Sequence, residues 1–208
     1  MKEIMTYDFA KYLDIGTEST PNIKLMNVGV TKADESSNPT EKSTHYIGDK
    51  SKSNKVTGYD NQYSIESDLI KDEDVVMDLY SIFRDRKTGA DAQRILYDVE
   101  LWNPATTYAL TSDVAVVSGK TYYTRSGTEG SYVYTPVPSP TSTNLSTYYE
   151  VVEVANTYHA RKLKVSVVIT GTTENPGETV TFTGNLKGIG DFVDGTFNTS
   201  TKEFTPNL

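Results

Sequence analysis

The residues best able to do chemistry in this chain are few. It holds two histidines, His45 and His159, and no cysteine. A zinc-type centre needs three or four imidazole, thiolate or carboxylate ligands converging on one point. Neither histidine has such a partner at a ligand spacing, so no metal is expected. The acidic run KDEDVVMD (residues 71–78) has the acidity of a calcium loop but not its order. That loop needs alternating oxygen ligands, a glycine at its sixth position and a distal glutamate; here Val75 and Val76 interrupt. GKTYYT (residues 119–124) lacks the glycine-rich lead of a phosphate cradle, and GIGD (residues 188–191) is too short for a dinucleotide fingerprint. No G-x-S-x-G nucleophile elbow occurs, and no carboxylate pair stands out for glycoside hydrolysis. The expectation is a protein that is not an enzyme and carries no cofactor. Asn144 and Asn198 open glycosylation sequons, which matter only in a secreted chain. The stretch MKEIMTYDFAKYLDIG lacks a leader's apolar core, and no run approaches membrane-spanning length, so no membrane association is expected.

With chemistry absent, the elements themselves become informative. Tyrosine (15 residues) far outnumbers phenylalanine (6) and tryptophan (1). Its ring packs on a half-buried sheet while its hydroxyl stays wet, so a mainly β protein is expected. NIKLMNVGVT (residues 22–31) reads as a strand. A polar stretch follows, residues 31–55, too long for an ordinary connection and rich in Ser, Lys, Asp and Asn. KVTGYDNQYSIES (residues 55–67) alternates with period two. Tyr59, Tyr63 and Ile65 share one face, and Asp60, Gln62, Ser64 and Glu66 share the other.

KDEDVVMDLYSIFRDRKTG is the one strong helix, expected over about residues 72–87, with Asp72 or a neighbour as cap and Gly89 as stop. RILYDVELW (residues 94–102) and RKLKVSVVIT (residues 161–170) read as strands. So does TVTFTGNLKG (residues 179–188), with Phe182 and Leu186 inward and Thr179, Thr181, Thr183 and Asn185 outward. GDFVDGTFNTSTKEFTP (residues 190–206) reads as a hairpin.

Composition shifts between residues 103 and 157. From residue 103 to 149 only Asp113, Lys120, Arg125 and Glu129 are charged, and seven of the fifteen tyrosines fall here. Two accounts stand: a small β module inserted into a core made of residues 1–102 and 158–208, or a long irregular hairpin loop of that core. The net charge of −8 argues against phosphate-neutralising contacts with nucleic acid. Binding and self-assembly remain as functions.

Three groups of residues carry a resemblance. They are NVGVTKADESSNPTEKSTHYIGDKSKSNKVTGYDNQYSIES; DEDVVMDLYSIFRDRKTG followed by RILYDVELW; and RKLKVSVVITG with GETVTFTGNLKGIGDFVDGTFNTSTKEFTP. Together the sequence resembles the tail tube (major tail) proteins of long-tailed phages of Gram-positive bacteria. The resemblance implies two packed β-sheets, as a sandwich or partial barrel, with one flanking helix. It implies hexameric rings stacked into a tube in the virion tail, assembled in the host cytoplasm. Tape measure, tail terminator and baseplate or tip proteins would be partners, and DNA would pass through the lumen without specific binding.

On that footing Asp60, Gln62, Ser64, Glu66, Thr179, Thr181, Thr183 and Asn185 are expected to face the lumen. An acidic wall would let DNA pass without sticking, softened where Lys162 and Lys164 point inward. Asp34, Glu35, Glu41, Lys42, His45, Asp49, Lys50 and Lys52 are expected to form a loop reaching another ring. Phe192, Phe197 and Phe204 are expected to anchor the last hairpin. The alternative is a β-sandwich module that binds carbohydrate or a cell surface, with the tyrosines as its platform.

Overall fold

The computed structural model describes residues 3–47 and 50–207. The chain is mainly β. Its strands, in order, are β1 (Phe9–Asp14), β2 (Ile23–Leu25), β3 (Val30–Ser36), β4 (Pro39–Thr44), β5 (Ser53–Tyr59) and β6 (Gln62–Asp68). The helix α1 (Asp74–Arg84) follows, then β7 (Gln93–Leu110), β8 (Tyr123–Ser126), β9 (Val133–Pro136), β10 (Tyr149–Thr173), β11 (Thr181–Gly188), β12 (Val193–Asn198) and β13 (Glu203–Pro206). The main sheet runs β2-β1-β7-β10-β11-β6-β3; β12 and β13 extend it beside β10, as do β8 and β9 further along, while β4 and β5 form a separate two-stranded ribbon.

Two neighbouring strands dominate. β10 is 25 residues long and β7 is 18, and they pair antiparallel from Ser166↔Gln93 out to Tyr149↔Leu110. Around them the sheet curls. Lys11 on β1 sits over the ring of Tyr63 on β6, 5.2 Å from its centre, although three strands separate β1 from β6 along the sheet. Only a rolled sheet brings those two together, and the right-handed twist of strands favours such rolling.

The concave side buries Leu13, Tyr63, Ile65, Leu96, Leu163, Val165, Phe182 and Leu186, and α1 closes it with Val75, Val76, Leu79 and Ile82. That helical stripe follows the spacing of one helix face. Alternation then puts Tyr12, Tyr97, Val99, Ala160 and Phe197 on the opposite side, where they form a second core.

Several expectations are corrected. Residues 31–55 are not an irregular loop: they hold β3, β4 and the start of β5. The ribbon has water on both sides, so it lacks the one-sided apolar alternation that marks a strand. Residues 22–31 hold β2 and only the start of β3, parted by a break that includes Gly29 at φ 81°, where an added Cβ would meet Val76 at 2.8 Å. Residues 55–67 likewise split at Asp60 and Asn61. The helix begins later and ends earlier than expected. Its N-cap is Glu73, the neighbour of Asp72, with no side-chain cap bond; the chain leaves it through Asp85 and then Arg86, at φ 51°, before Gly89 is reached. β1 lacks a legible strand pattern in the sequence, because its lone apolar pairs sit among charges.

The region 103–157 forms the far part of the β7–β10 pair and what joins its two strands. β7 and β10 run straight into it, with register breaks flanking the Tyr158↔Pro104 pair. Beyond them β8 and β9 pair, and Tyr122, Leu145 and Tyr148 form a third, small core. Asp113 accepts a hydrogen bond from the Tyr122 hydroxyl (2.6 Å) and another from Lys120 (2.7 Å). Lys120 also pairs with Glu150.

Candidate functional site

A broad polar surface covers the convex face of β3, β6 and β11. Register places Asp34, Ser64 and Asn185 in one row, Ser36, Gln62 and Lys187 in another, and Lys32, Glu66 and Thr183 in a third. The inward neighbours Tyr63, Ile65, Phe182 and Leu186 are buried. Period-two alternation therefore sends the polar set outward as one sheet face. Cross-strand bonds knit it: Ser64 Oγ lies 3.3 Å from Asn185 Oδ1, and the Thr170 and Thr183 hydroxyls lie 3.2 Å apart.

The structure thus brings together six residues expected on one face: Gln62, Ser64, Glu66, Thr181, Thr183 and Asn185. It leaves out two. Asp60 lies in the turn between β5 and β6, where its N–H donates to the Ser37 carbonyl (2.9 Å). Thr179 precedes β11. The face is also mixed and not acidic: Asp34, Glu66 and Asp68 are matched by Lys32, Lys187 and Lys164. Lys162 falls outside this mixed patch, with its ammonium 5.9 Å from the centre of the Phe204 ring.

The residues expected in one long loop divide among three places. Asp34 joins the polar face. Glu35 points to the concave side, where its carboxylate binds Arg161 at 2.7 and 3.2 Å. Glu41 and Lys42 lie on β4; His45, Lys50 and Lys52 lie beyond its end, on the exposed tip side. Asp49 falls outside the described residues. The ribbon buries none of its described residues; its pairing runs from Pro39↔Tyr59 to Thr44↔Ser53.

A buried ionic cluster that sequence reasoning missed closes the concave core. Asp98 on β7 is 3% exposed. It accepts hydrogen bonds from Lys11 Nζ (2.9 Å), the Tyr63 hydroxyl (2.9 Å) and Arg161 Nη2 (3.0 Å). Four strands thereby meet at one carboxylate, and Arg161 continues the network to Glu35 on β3. Burial, then the nearby carboxylates of Asp98 and Glu35, push the Tyr63 hydroxyl well above its usual pKa. A period-two reading treats Asp98 as an ordinary wet residue, because the partners that make its burial tolerable lie 35 to 87 positions away. A second bidentate pair, Arg94 to Asp78 at 2.7 Å on both arms, ties α1 to the start of β7.

The last hairpin divides its phenylalanines between the two cores. Phe197 is fully buried and packs 4.8 Å from Tyr12 and 5.3 Å from Tyr97, and Phe204 lies 5.7 Å from Tyr97. Phe192 instead packs at the concave core with Arg161 stacked 4.4 Å above it. The glycine of the V-x-G-T-F run has a steric reason: a Cβ on Gly195 would fall 2.3 Å from the Thr205 carbonyl oxygen and 2.6 Å from the Phe204 ring. The turn is held by Asn198 Oδ1, which accepts from the N–H groups of Ser200 (2.9 Å) and Thr201 (3.0 Å).

His159 lines a recess of about 250 Å³ with Glu100, Asn103 and Asp194. Among the described residues no group of three His, Cys, Asp or Glu converges on a metal-sized point. No described helix is long and apolar enough to cross a membrane. The sequence matches no protein-family model, and no curated protein matches it.

Proposed function

We propose that this chain is a structural subunit of a phage tail tube, assembling into hexameric rings that stack around a channel for DNA. The observation that carries this reading is the polar convex face of β3, β6 and β11, a water-facing wall backed directly by a packed core. A sheet lining a wet channel has that character. β2 and β3 end the main sheet, with no described strand on their outer edges. Lone domains usually blunt such edges, whereas assembling ones pair them. The mixed charge on the wall suits passage of a polyanion without a lasting hold, because no continuous basic stripe is present. The ribbon β4–β5, which buries nothing within the subunit, is the element assigned to reach another copy. Tape measure, terminator and baseplate or tip proteins would meet the tube at its ends.

The carbohydrate-binding alternative draws less support. In the 103–157 region the rings pack on one another: Tyr108 stacks on Tyr134 at 3.9 Å, with Tyr123 and Tyr149 set edge-on. Their faces are largely spent before a sugar arrives. Negative-stain microscopy of the concentrated protein tests the proposal. Hollow tubes or six-fold rings support it; a strict monomer at every concentration overturns it.

A further inference from the structure

We infer that the groove between the end of α1 and β10 receives residues 3–9 of a second copy of this chain, giving a head-to-tail contact. The groove holds about 740 Å³. Its apolar lining includes Tyr80, Ile82, Phe83, Val167 and Ile169, and Phe83 and Val168 remain more than a third exposed. Arg84, Arg86 and Lys87 rim it, and no Asp or Glu is among its described lining residues. Arg84 is held by its neighbour Asp85, Lys87 donates to Ser81 Oγ, and Arg86 stands beside them. On a chain of net charge −8 this is a cationic, apolar slot.

The segment ahead of β1 has the complementary character. Ile4, Met5 and Tyr7 are 53%, 46% and 75% exposed. Glu3 and Asp8 flank them, and Asp8 accepts from the Met5 N–H at 2.8 Å, which fixes the loop's shape. Three apolar side chains between two carboxylates match an apolar slot rimmed by three cations.

The fold keeps the two apart within one chain. Phe9 pairs with Glu100, and the groove lies beside Gln93, the partner of Ser166. Seven residues of β7 separate these points, about 23 Å at strand spacing. Residues 3–8 lead away from β1 and include a 3-10 turn at Thr6–Asp8, so they do not fold back that far. Knob and slot at separate places on one subunit make a heterologous contact, which leaves one of each open after every addition and builds rings or filaments. The inference rests on the assembly reading for the identity of the partner and adds to it a specific pair of surfaces.

Because the chain has no cysteine, single-cysteine variants test it cleanly. Ile4→Cys and Phe83→Cys chains, mixed in equal amounts and oxidised mildly, should cross-link to each other far more than either does to itself. A double variant should give a ladder of oligomers. Separately, Arg86→Glu should weaken association several-fold by sedimentation, and Glu3→Lys in the same chain should restore it. Wild-type tubes together with no Ile4–Phe83 cross-link would overturn this contact and leave the assembly reading standing. A double variant that only closes within its own chain overturns it too. A wild-type chain that sediments as a monomer at every concentration overturns both.

Discussion

The hydroxyl of Tyr63 lies 2.9 Å from Asp98, joining β6 to β7 inside the rolled sheet. Lys11 and Arg161 complete the shell of the same carboxylate. Removing one partner of such a group leaves a buried charge or donor short of its bonds. Tyr63→Phe should cost about 1–3 kcal/mol. Asp98→Ala, which strands Lys11 and leaves Arg161 with Glu35 alone, should cost about 3–5 kcal/mol. Urea unfolding followed by circular dichroism measures both; equal and small losses would mean that the cluster is wet and dispensable.

Alkali should unfold the protein through its buried tyrosines. Burial, with the Asp14 charge nearby, pushes the Tyr97 hydroxyl up to about 12, against an ordinary value of 10.0, and Tyr63 shifts the same way. A raised pKa means the native state holds its proton longer than the unfolded chain does. The stabilisation is whole below pH 10 and falls away as pH climbs through the native values. Tyrosinate absorbance should therefore show a late group that ionises together with loss of structure. A single ordinary titration of all tyrosines while the fold persists would refute this.

The last hairpin should be unequally sensitive along its length. Phe197→Ala removes a fully buried ring from the second core and should cost about 3–5 kcal/mol. Phe192→Ala, at a half-buried site, should cost clearly less. Gly195→Ala should also destabilise, because its Cβ meets a backbone carbonyl that has no free rotation to yield. Thermal melts rank the three; Phe192→Ala as the most harmful would contradict the assignment of cores.

The ribbon should be dispensable for folding but needed for assembly. Glu41 and Val56 face each other across it, so residues 41–56 can be replaced by a two-residue turn. None of the described residues removed is buried, so the melting temperature should stay within a few degrees. Tubes should vanish from micrographs. Tubes of normal length from the shortened protein would remove the ribbon from the assembly scheme.

Much of the concave core was legible along the chain. Tyr63 and Ile65, Phe182 and Leu186, and Leu163, Val165 and Val167 alternate with polar residues, and a one-sided strand must alternate. The stripe Val75, Leu79, Ile82 announced α1 in the same way. Six of the eight residues expected on one wet face share it because period and register do the placing. Where the pattern loses its asymmetry, sequence reading stops. β4 and β5 are wet on both sides, β1 is short and charge-laden, and β7 and β10 run on from the core into a region of different composition, past register breaks that no local pattern marks.

Residue order by itself determined a mainly β chain, its helix, its inward and outward faces, and the absence of recognisable catalytic motifs, because these follow from local period and residue type. Only the tertiary structure decided that the sheet rolls, that Asp98 is buried among Lys11, Tyr63 and Arg161, that Glu35 turns inward, and that the Glu3–Asp8 segment and the α1 groove lie seven β7 residues apart. Each depends on groups far apart in the chain, and local alternation carries no information about which distant strands curl into contact.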